Sequence, residues 1–367
     1  MHTYTLRGDR NWGRDGCEIF KIHVHAKTSQ LMDEFLGRDA NDGIFYEDNS
    51  FIITGEKFQQ AWNQTNQRLI DWWNETLNII DLENDREDVV FVGGPAIFPW
   101  HLLPSNIKYR PVIGQLKPIS WSPKSISYSN PNYNTATLWT HGDVNPNFGA
   151  SDDHEKFIGT DEFKEYAEAL RNRHFGAPSQ VIEDANEVSF VCQNPINKDV
   201  SKGISLWYHS GHGDARFGLD FKTKSLSIGD ISDLLDVENA SIDLAWVMSC
   251  HSIEIFTKKG WSSDDDGDYE TIPLIQNNRI GALLGIIGVG DDSPESFFAC
   301  CEIYRHLNHK EENIARALYL TRRFLDPLGH AIAQITLIGD PEIKVPQADK
   351  HDFRQVIQLM EENHSIK

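Results

Sequence analysis

Short apolar runs, each stopped by glycine or by small polar residues, recur along the second half of the 367-residue chain. Amphipathic helical patterns separate these runs, for example over residues 161–174 and 313–324. Apolar runs of strand length are typical of parallel strands that are buried on both faces. Their alternation with helices predicts an α/β fold, with a mostly parallel sheet between two helical layers.

The strands of this sheet are predicted over residues 204–209, 242–250, 280–290 and 335–338, with helices at 228–235 and from Pro294 onward, where Ser293 would cap the helix. Nearer the N-terminus, a strand at 18–26, a helix at 56–80 and a strand at 88–94 predict a second parallel unit. Residues 104–153 are rich in Pro, Ser and Asn, and they are interpreted as long loops with short hairpins. We therefore expect a smaller α/β subdomain over residues 1–120, a larger subdomain over 121–346 and a polar helical tail over 347–367.

Charge and composition exclude several functions. The formal net charge of −21 argues against nucleic-acid binding, which needs a basic face, and against docking on anionic membranes. The N-terminal residues lack the pattern of a signal peptide, and no apolar run is long enough to span a membrane. The five cysteines form no CxxC motif, so neither a disulfide framework nor a cysteine zinc site is expected. These features predict a cytoplasmic protein without a metal.

Two predicted strands end in reactive residues. The first runs into LWYHSGHG at residues 206–213, and the second into AWVMSCH at residues 245–251. Sites in parallel sheets form at the carboxyl ends of strands, and consecutive strands are often neighbours. His212 and Cys250 would then emerge side by side, where an imidazole turns a thiol into a strong nucleophile. The Gly213 N–H, together with that of Cys250, would stabilise an oxyanion.

Simpler interpretations apply to each residue alone. A cysteine at the end of an apolar strand is more often a core residue than a nucleophile. A histidine in a glycine-rich turn is more often structural or exposed, and this is the interpretation of His209 and His251. The joint pattern of His212 and Cys250 favours a catalytic pair.

The same residues carry a resemblance to a known group. SGHG after one apolar strand and SCH after the next resemble the caspase-like (clan CD) cysteine peptidases. Two further segments resemble the gingipain-type branch: VVFVGGPAIFP at residues 89–99, and LIGDPEIKV at 337–345. Two departures are that Gly94 stands where the group usually has an acidic residue, and that an expected IGR-type segment is reduced to IGT at 158–160.

The resemblance implies a caspase-like fold and a peptidase that needs no cofactor. Cys250 would be the nucleophile, His212 the general base and later acid, and Gly213 the oxyanion donor. The substrate would be a protein or peptide, and relatives of this kind suggest a regulatory protein partner and a role in bacterial signalling or antiviral defence. A residue that orients His212 is not identified: Asp214 is very close in sequence, and Asp143, Asp152 and Asp153 lie in the loop region.

Specificity is predicted from two acidic residues and processing from two basic ones. Peptidases of this group recognise a charged P1 residue, the one that precedes the scissile bond. Asp291 and Asp292 follow the 280–290 strand and would select Arg or Lys at P1, although they are equally suited to cap the following helix. Lys258 and Lys259 begin an exposed polar linker over residues 257–272, where self-cleavage would occur.

Three alternatives stay open. One is a non-catalytic caspase-like scaffold that binds a partner, although the presence of both His212 and Cys250 favours an enzyme. Another is an Asp-specific caspase-like protease, although no Arg lies near the predicted pocket loop. The third is a hydrolase of small amides, for which the sequence lacks a Gly-x-Ser-x-Gly or phosphate-loop motif.

Overall fold

A computed structural model gives the structure of somewhat over two fifths of the chain. It describes residues 19–23, 46–47, 50–51, 71, 88–92, 112–113, 137–142, 162–172, 180–193, 200–201, 203–214, 217–257, 272–288, 290, 294–309, 312–324, 335–340 and 343–345. The predicted helix at 56–80 and the tail at 347–367 lie outside these residues, apart from Asp71, which is helical.

The described strands and helices alternate along the second half of the chain. The strands are β1 (Ile19–His23), β2 (Tyr46–Glu47), β3 (Ser50–Phe51), β4 (Asp88–Val92), β5 (Val112–Ile113), β6 (Thr137–Gly142), β7 (Cys192–Gln193), β8 (Val200–Ser201), β9 (Gly203–Gly211), β10 (Gly213–Asp214), β11 (Gly218–Leu219), β12 (Ser241–Met248), β13 (Ile280–Ile286) and β14 (Ile335–Gly339). The α-helices are α1 (Glu162–Arg171), α2 (Ile228–Val237), α3 (Ser252–Thr257), α4 (Pro273–Gln276), α5 (Pro294–His309) and α6 (Ile314–Phe324).

A five-stranded sheet forms the centre of the fold, with strand order β14-β13-β12-β9-β6. The strands β6, β9, β12 and β13 are parallel, and β14 runs antiparallel to β13. Strands β9 and β12 are buried along their whole length, which explains why their sequences are nearly continuous apolar runs. The predicted α/β fold with a mostly parallel sheet is confirmed.

Helices cover both faces of this sheet. On one face, alternate residues of the strands pack with α1, α5 and α6 in a single hydrophobic core. At its centre, Tyr208 lies between the rings of Trp139 and Trp246, at centroid distances of 5.5 and 5.4 Å. On the other face, α3 packs under the sheet, where the ring of Phe256 lies 6.2 Å from that of Trp207. Successive residues of a strand point to opposite faces of the sheet, so alternate residues pack against the helices on one face and the others against the helix on the opposite face.

Strand β6 corrects the interpretation of residues 104–153 as loops and hairpins. All six of its residues are buried, and it pairs with β9 in parallel from Thr137↔Leu206 to Gly142↔Gly211. Its outer edge bonds to Ile182, which donates to the Trp139 carbonyl and accepts from the His141 amide. Only Leu138 and Trp139 of this strand are strongly apolar. Because Thr137, Thr140 and the flanking residues are polar, the sequence shows no apolar run that would predict a strand here.

The N-terminal region contributes a separate three-stranded sheet. Strand β4 lies between β1 and β5 and is parallel to both, as predicted for the strands near residues 18–26 and 88–94. The division into subdomains at residue 120 stays a prediction.

Candidate active site

His212 and Cys250 follow neighbouring strands at the same edge of the central sheet. Strands β9 and β12 are parallel, and their last paired residues are Ser210 and Met248. His212 and Cys250 each lie two residues beyond this pair, so the chain carries them to the same level of the edge. The predicted adjacency of the two strands is confirmed.

Gly213 lies directly against the backbone of Cys250. A β-carbon at position 213 would be 2.4 Å from the Cys250 carbonyl oxygen and 3.0 Å from the Ser249 β-carbon. No side chain fits at that distance, so only glycine allows the two chain segments to approach this closely. This contact brings the residue after His212 and the predicted nucleophile together in space.

The sulfur of Cys250 receives a hydrogen bond from the loop after β13. The Gly290 amide nitrogen lies 3.3 Å from the Cys250 Sγ and donates to it. Cys250 is partly exposed, whereas Cys300 and Cys301 are buried. The Gly290 carbonyl oxygen lies 3.9 Å from the same sulfur and can accept from the thiol, so Gly290 contacts Cys250 through both of its backbone polar groups.

A buried carboxylate holds this loop in place. Glu254 of α3 is fully buried, and its Oε1 accepts a hydrogen bond from the Gly288 amide at 2.7 Å. The same oxygen lies 3.4 Å from Nδ1 of His251. The His251 amide in turn donates to the Gly288 carbonyl at 2.7 Å. The residue after Cys250 is thus bonded to the loop that carries the Gly290 donor.

His251 adopts a left-handed backbone conformation, with φ of 56°. This conformation is uncommon for a side chain of its size, and it turns the chain sharply between Cys250 and α3. The bonds to Gly288 and Glu254 hold the turn, so His251 has a structural role.

The loop segment of His212 is anchored on both sides. Its amide donates to the Gly142 carbonyl at 3.1 Å, and its carbonyl accepts from the Asp220 amide at 3.1 Å. The imidazole packs against the edge of the Phe163 ring, at 5.1 Å between centroids and 80° between planes. Three elements therefore fix the direction in which His212 leaves the sheet.

The neighbouring His209 is part of the core. It is fully buried, its Nδ1 lies 2.9 Å from the Thr140 hydroxyl, and burial lowers its pKa to about 3. An imidazole that stays neutral at all ordinary pH values and has no access to solvent does not act as the base for Cys250.

Asp220 is a buried residue whose amide bonds to His212, and the sequence analysis did not identify it. Ser225 donates its hydroxyl hydrogen to Asp220 Oδ1. The Asp220 pKa is raised to about 6: burial raises it most, the Ser225 hydrogen bond lowers it and the charge of Asp214 raises it, and the value is the net result. The sequence offers no signal for this burial, because Asp220 follows a two-residue strand.

A small pocket opens to solvent beside Cys250. Its walls come from α1, from the strand ends and from α5, and its apolar lining residues are Phe163, Tyr166, Tyr208, Met248, Ile286 and Phe297. None of the described lining residues carries a charge. Cys300 also lines it, but burial raises the Cys300 pKa to about 12, so this thiol is not a nucleophile.

Several predicted residues lie outside the described part of the chain. They are Asp291 and Asp292 of the specificity loop, Lys258 and Lys259 of the linker, the helix cap Ser293, and the candidate orienting residues Asp143, Asp152 and Asp153. Asp214 is described and partly buried, in strand β10.

The described part of the chain has neither a metal cluster nor a membrane-spanning helix. The described residues include no group of three or more His, Cys, Asp or Glu residues placed to hold a metal ion. They also include no helix that is long and apolar enough to cross a membrane.

Comparison with known proteins gives partial similarities to several solved structures. No family model matches the chain, and no curated protein matches it. A crystal structure of the Arg-specific cysteine proteinase gingipain R matches 87% of this chain and 74% of its own, at 14% identity and a TM-score of 0.37. A complex of the Porphyromonas gingivalis RgpB pro- and mature domains matches 89% of this chain and 79% of its own, at 14% identity and a TM-score of 0.39. No family assignment follows from these similarities.

Proposed function

We propose that this chain is a caspase-like cysteine endopeptidase that uses a dyad of His212 and Cys250. One observation carries the proposal: Gly213 packs against the Cys250 carbonyl at the edge of two neighbouring parallel strands, while the Gly290 amide donates to the Cys250 sulfur. A partly exposed thiol with a fixed hydrogen-bond donor, whose backbone contacts the residue after a histidine, is an arrangement suited to nucleophilic catalysis.

The reaction follows from these positions. His212 takes the proton of the Cys250 thiol, and the thiolate attacks the carbonyl carbon of the scissile bond. The Gly213 and Cys250 amides stabilise the resulting oxyanion. The C–N bond then breaks, and His212 returns the proton to the leaving amine. Water, deprotonated by His212, attacks the thioester, and the release of the carboxylic acid restores the thiol.

The finer parts of the proposal rest on residues outside the described regions. A carboxylate of Asp291 or Asp292 would select Arg or Lys at P1, and cleavage after Lys258 or Lys259 would process the linker. A cytoplasmic location belongs to the same proposal and is supported by the cysteine usage. A regulatory protein partner and a role in signalling or antiviral defence are supported by the sequence resemblance.

The proposal is tested with wild type, Cys250→Ala and His212→Ala on peptides that differ only at P1. We expect turnover by wild type and a loss of roughly 10⁴-fold or more in kcat/KM for both variants, since the dyad acts as a unit. Equal turnover by wild type and Cys250→Ala would refute the nucleophile.

Labelling by an iodoacetamide probe separates the roles of the two residues. Wild type should be labelled at Cys250 at neutral pH, and His212→Ala should need a more alkaline pH for the same rate. Cys300 and Cys301 serve as internal controls, because both are buried. No turnover by wild type, combined with equal labelling of wild type and His212→Ala, would favour the non-catalytic scaffold.

A further inference from the structure

We propose that Ser252 is a positioning residue for Cys250, and that it acts by joining strand β13 to the helix that follows the cysteine. The inference rests on the proposed peptidase function, because it names a further residue on which the nucleophile depends. Two independent observations carry it: the hydrogen bonds of the Ser252 hydroxyl, and the glycine at position 285.

The Ser252 hydroxyl takes the place of a strand partner for Ile286. The last paired residues of β12 and β13 are Val247 and Gly285, so Ile286 lies just beyond this ladder. The fully buried Ser252 Oγ accepts a hydrogen bond from the Ile286 amide at 2.7 Å and donates to the Ile286 carbonyl at 3.3 Å. One side chain therefore bonds both polar backbone groups of Ile286, as a neighbouring strand would.

The same pattern continues along the loop toward the cysteine. The Gly288 carbonyl accepts from the His251 amide at 2.7 Å, and the Gly290 amide donates to the Cys250 sulfur at 3.3 Å. Every second residue of the loop thus bonds to the turn, and its partner moves one position closer to the cysteine each time. Because Ser252 makes the first bonds of this series, it sets the register in which the loop lies against Cys250.

Gly285 leaves the space that this arrangement needs. It belongs to a strand that is buried along its whole length, where apolar side chains are expected. A β-carbon there would lie 2.7 Å from the Ser252 Oγ and 2.9 Å from Cδ1 of Ile253. Glycine weakens the interior of a strand and often marks the close approach of another group. Here the nearest atom is the Ser252 hydroxyl oxygen, so the sequence of β13 accommodates it.

Amide hydrogen exchange, resolved to single residues by NMR, tests the positioning role without requiring activity. We expect the Gly288 and Gly290 amides to exchange at least about tenfold faster in Ser252→Ala than in wild type, because the loop has lost its attachment next to β13. Faster exchange that is confined to the Ile286 amide would show a merely local role and would overturn the inference.

Thr321→Val is the matched control for a general loss of stability. The Thr321 hydroxyl is also fully buried, and it donates to the Ala317 carbonyl within α6 at 2.9 Å. Its loss should leave the exchange of Gly288 and Gly290 within about twofold of wild type, since these amides exchange by local opening of the loop. Equal acceleration in Thr321→Val and Ser252→Ala would contradict a specific role of Ser252.

Gly285→Ala reaches the same hydroxyl from the strand side. Its methyl group would displace the Ser252 side chain, so it should accelerate exchange of the same two loop amides at least about tenfold. In the double variant Ser252→Ala/Gly285→Ala, the missing oxygen makes room for the methyl group. The combined acceleration should therefore be smaller than the product of the two single ones. A combined effect equal to that product would contradict the link between Gly285 and Ser252.

Peptide turnover separates this inference from the peptidase proposal. Ser252→Ala should lower kcat by about 10- to 100-fold with a smaller change in KM, because a nucleophile displaced by about 1 Å loses that much. Thr321→Val should keep kcat within about threefold of wild type. Equal turnover by the two variants would refute the positioning role.

The exchange data decide the case of an inactive wild type. If wild type cleaves no peptide but exchange of Gly288 and Gly290 accelerates as expected in Ser252→Ala, Ser252 still positions Cys250 and the peptidase proposal fails. If the exchange of these amides is unchanged, the positioning role fails whether or not wild type is a peptidase.

Discussion

The Oε1 atom of Glu254 accepts a hydrogen bond from the Gly288 amide at 2.7 Å, and so a buried carboxylate holds the loop whose Gly290 amide donates to Cys250. Glu254 acts on the Cys250 sulfur only through this loop, since the described hydrogen bonds join Glu254 to Gly288 and Gly290 to Cys250. Glu254 is therefore interpreted as a positioning residue.

Replacing Glu254 by Leu removes the acceptor for the Gly288 amide. The loop over residues 288–290 should then move more freely, and the Gly290 amide should no longer stay in place against the Cys250 sulfur. We expect kcat to fall by roughly 10- to 100-fold with a smaller change in KM, since a misplacement of about 1 Å is enough for such a loss. The pH profile of Cys250 labelling should also differ from that of wild type, because the Gly290 amide no longer holds its position against the sulfur. Kinetics and iodoacetamide labelling across pH 5 to 10 measure both effects.

Glu254→Gln is the matched control, because its side-chain oxygen still accepts from the Gly288 amide. It should keep kcat within about threefold of wild type. A Leu variant that folds and shows the labelling profile of wild type would contradict the positioning role.

Because Gly213 packs against the Cys250 backbone, adding a single methyl group at position 213 should strongly reduce the stability of the fold. In Gly213→Ala the new β-carbon would lie 2.4 Å from a backbone carbonyl, which has little freedom to move. We expect a loss of about 3 kcal/mol in the free energy of unfolding and loss of any peptidase activity, although both side chains of the proposed dyad remain. Urea unfolding and peptide turnover measure the two consequences.

Gly229→Ala is the control for this substitution. Gly229 lies in α2, and an added β-carbon meets only the Ser227 hydroxyl oxygen, at an ordinary 3.5 Å. This variant should be as stable as wild type or up to about 1 kcal/mol more stable, since alanine favours the helix. Equal stability of the two variants would contradict the close approach at Gly213.

The sequence predicted the parts of the fold that depend on apolar periodicity. Apolar runs predicted the positions of β9, β12, β13 and β14 correctly. Strands that are buried on both faces consist mainly of apolar residues, so their sequences are easy to identify. Strand β6 was missed because threonines occupy half of its first four positions and the flanking residues are polar. Its burial depends on its partners β9 and α1, which the local sequence does not encode.

The candidate site was predictable only where reactive residues end an apolar strand. His212, Gly213 and Cys250 carry that signal. Glu254 carries a weaker signal, since a carboxylate inside the apolar segment SIEIF, three residues after His251, suggests a buried partner. Phe163, Tyr166 and Phe297 converge from two helices far apart in sequence. No local pattern specifies that convergence.

Buried His209 makes the fold sensitive to acid. Its folded-state pKa of about 3 lies below the ordinary value of 6.5, so only the unfolded chain takes up a proton in this range. The stabilisation is complete above pH 6.5 and is lost as the pH falls from 6.5 toward 3. At pH 5 the loss should be about 2 kcal/mol relative to pH 7.5.

His209→Phe tests this contribution, because the ring sits between aromatic neighbours and phenylalanine cannot be protonated. The free energy of unfolding, measured in urea at pH 7.5 and pH 5, should fall less on acidification in the variant than in wild type. Parallel pH dependences of the two proteins would show that His209 does not contribute.

Asp220 should act in the opposite direction over an overlapping pH range. Its folded-state pKa of about 6 lies above the ordinary value of 3.8, so the folded state holds the proton more tightly than the unfolded chain. The resulting stabilisation is complete below pH 3.8 and is lost as the pH rises through about 6. Asp220→Asn, which cannot ionise, should gain about 2 kcal/mol relative to wild type between pH 4 and pH 7.5.

Ser225→Ala gives this prediction a second test. The Ser225 hydroxyl donates to Asp220 and lowers its pKa, so removing it should raise that pKa and move the stability loss to higher pH. Urea unfolding of wild type and both variants across pH 4 to 8 measures the three curves. A constant difference between Asp220→Asn and wild type over this range would contradict the raised pKa, and a Ser225→Ala curve shifted to lower pH would contradict the role of the hydroxyl.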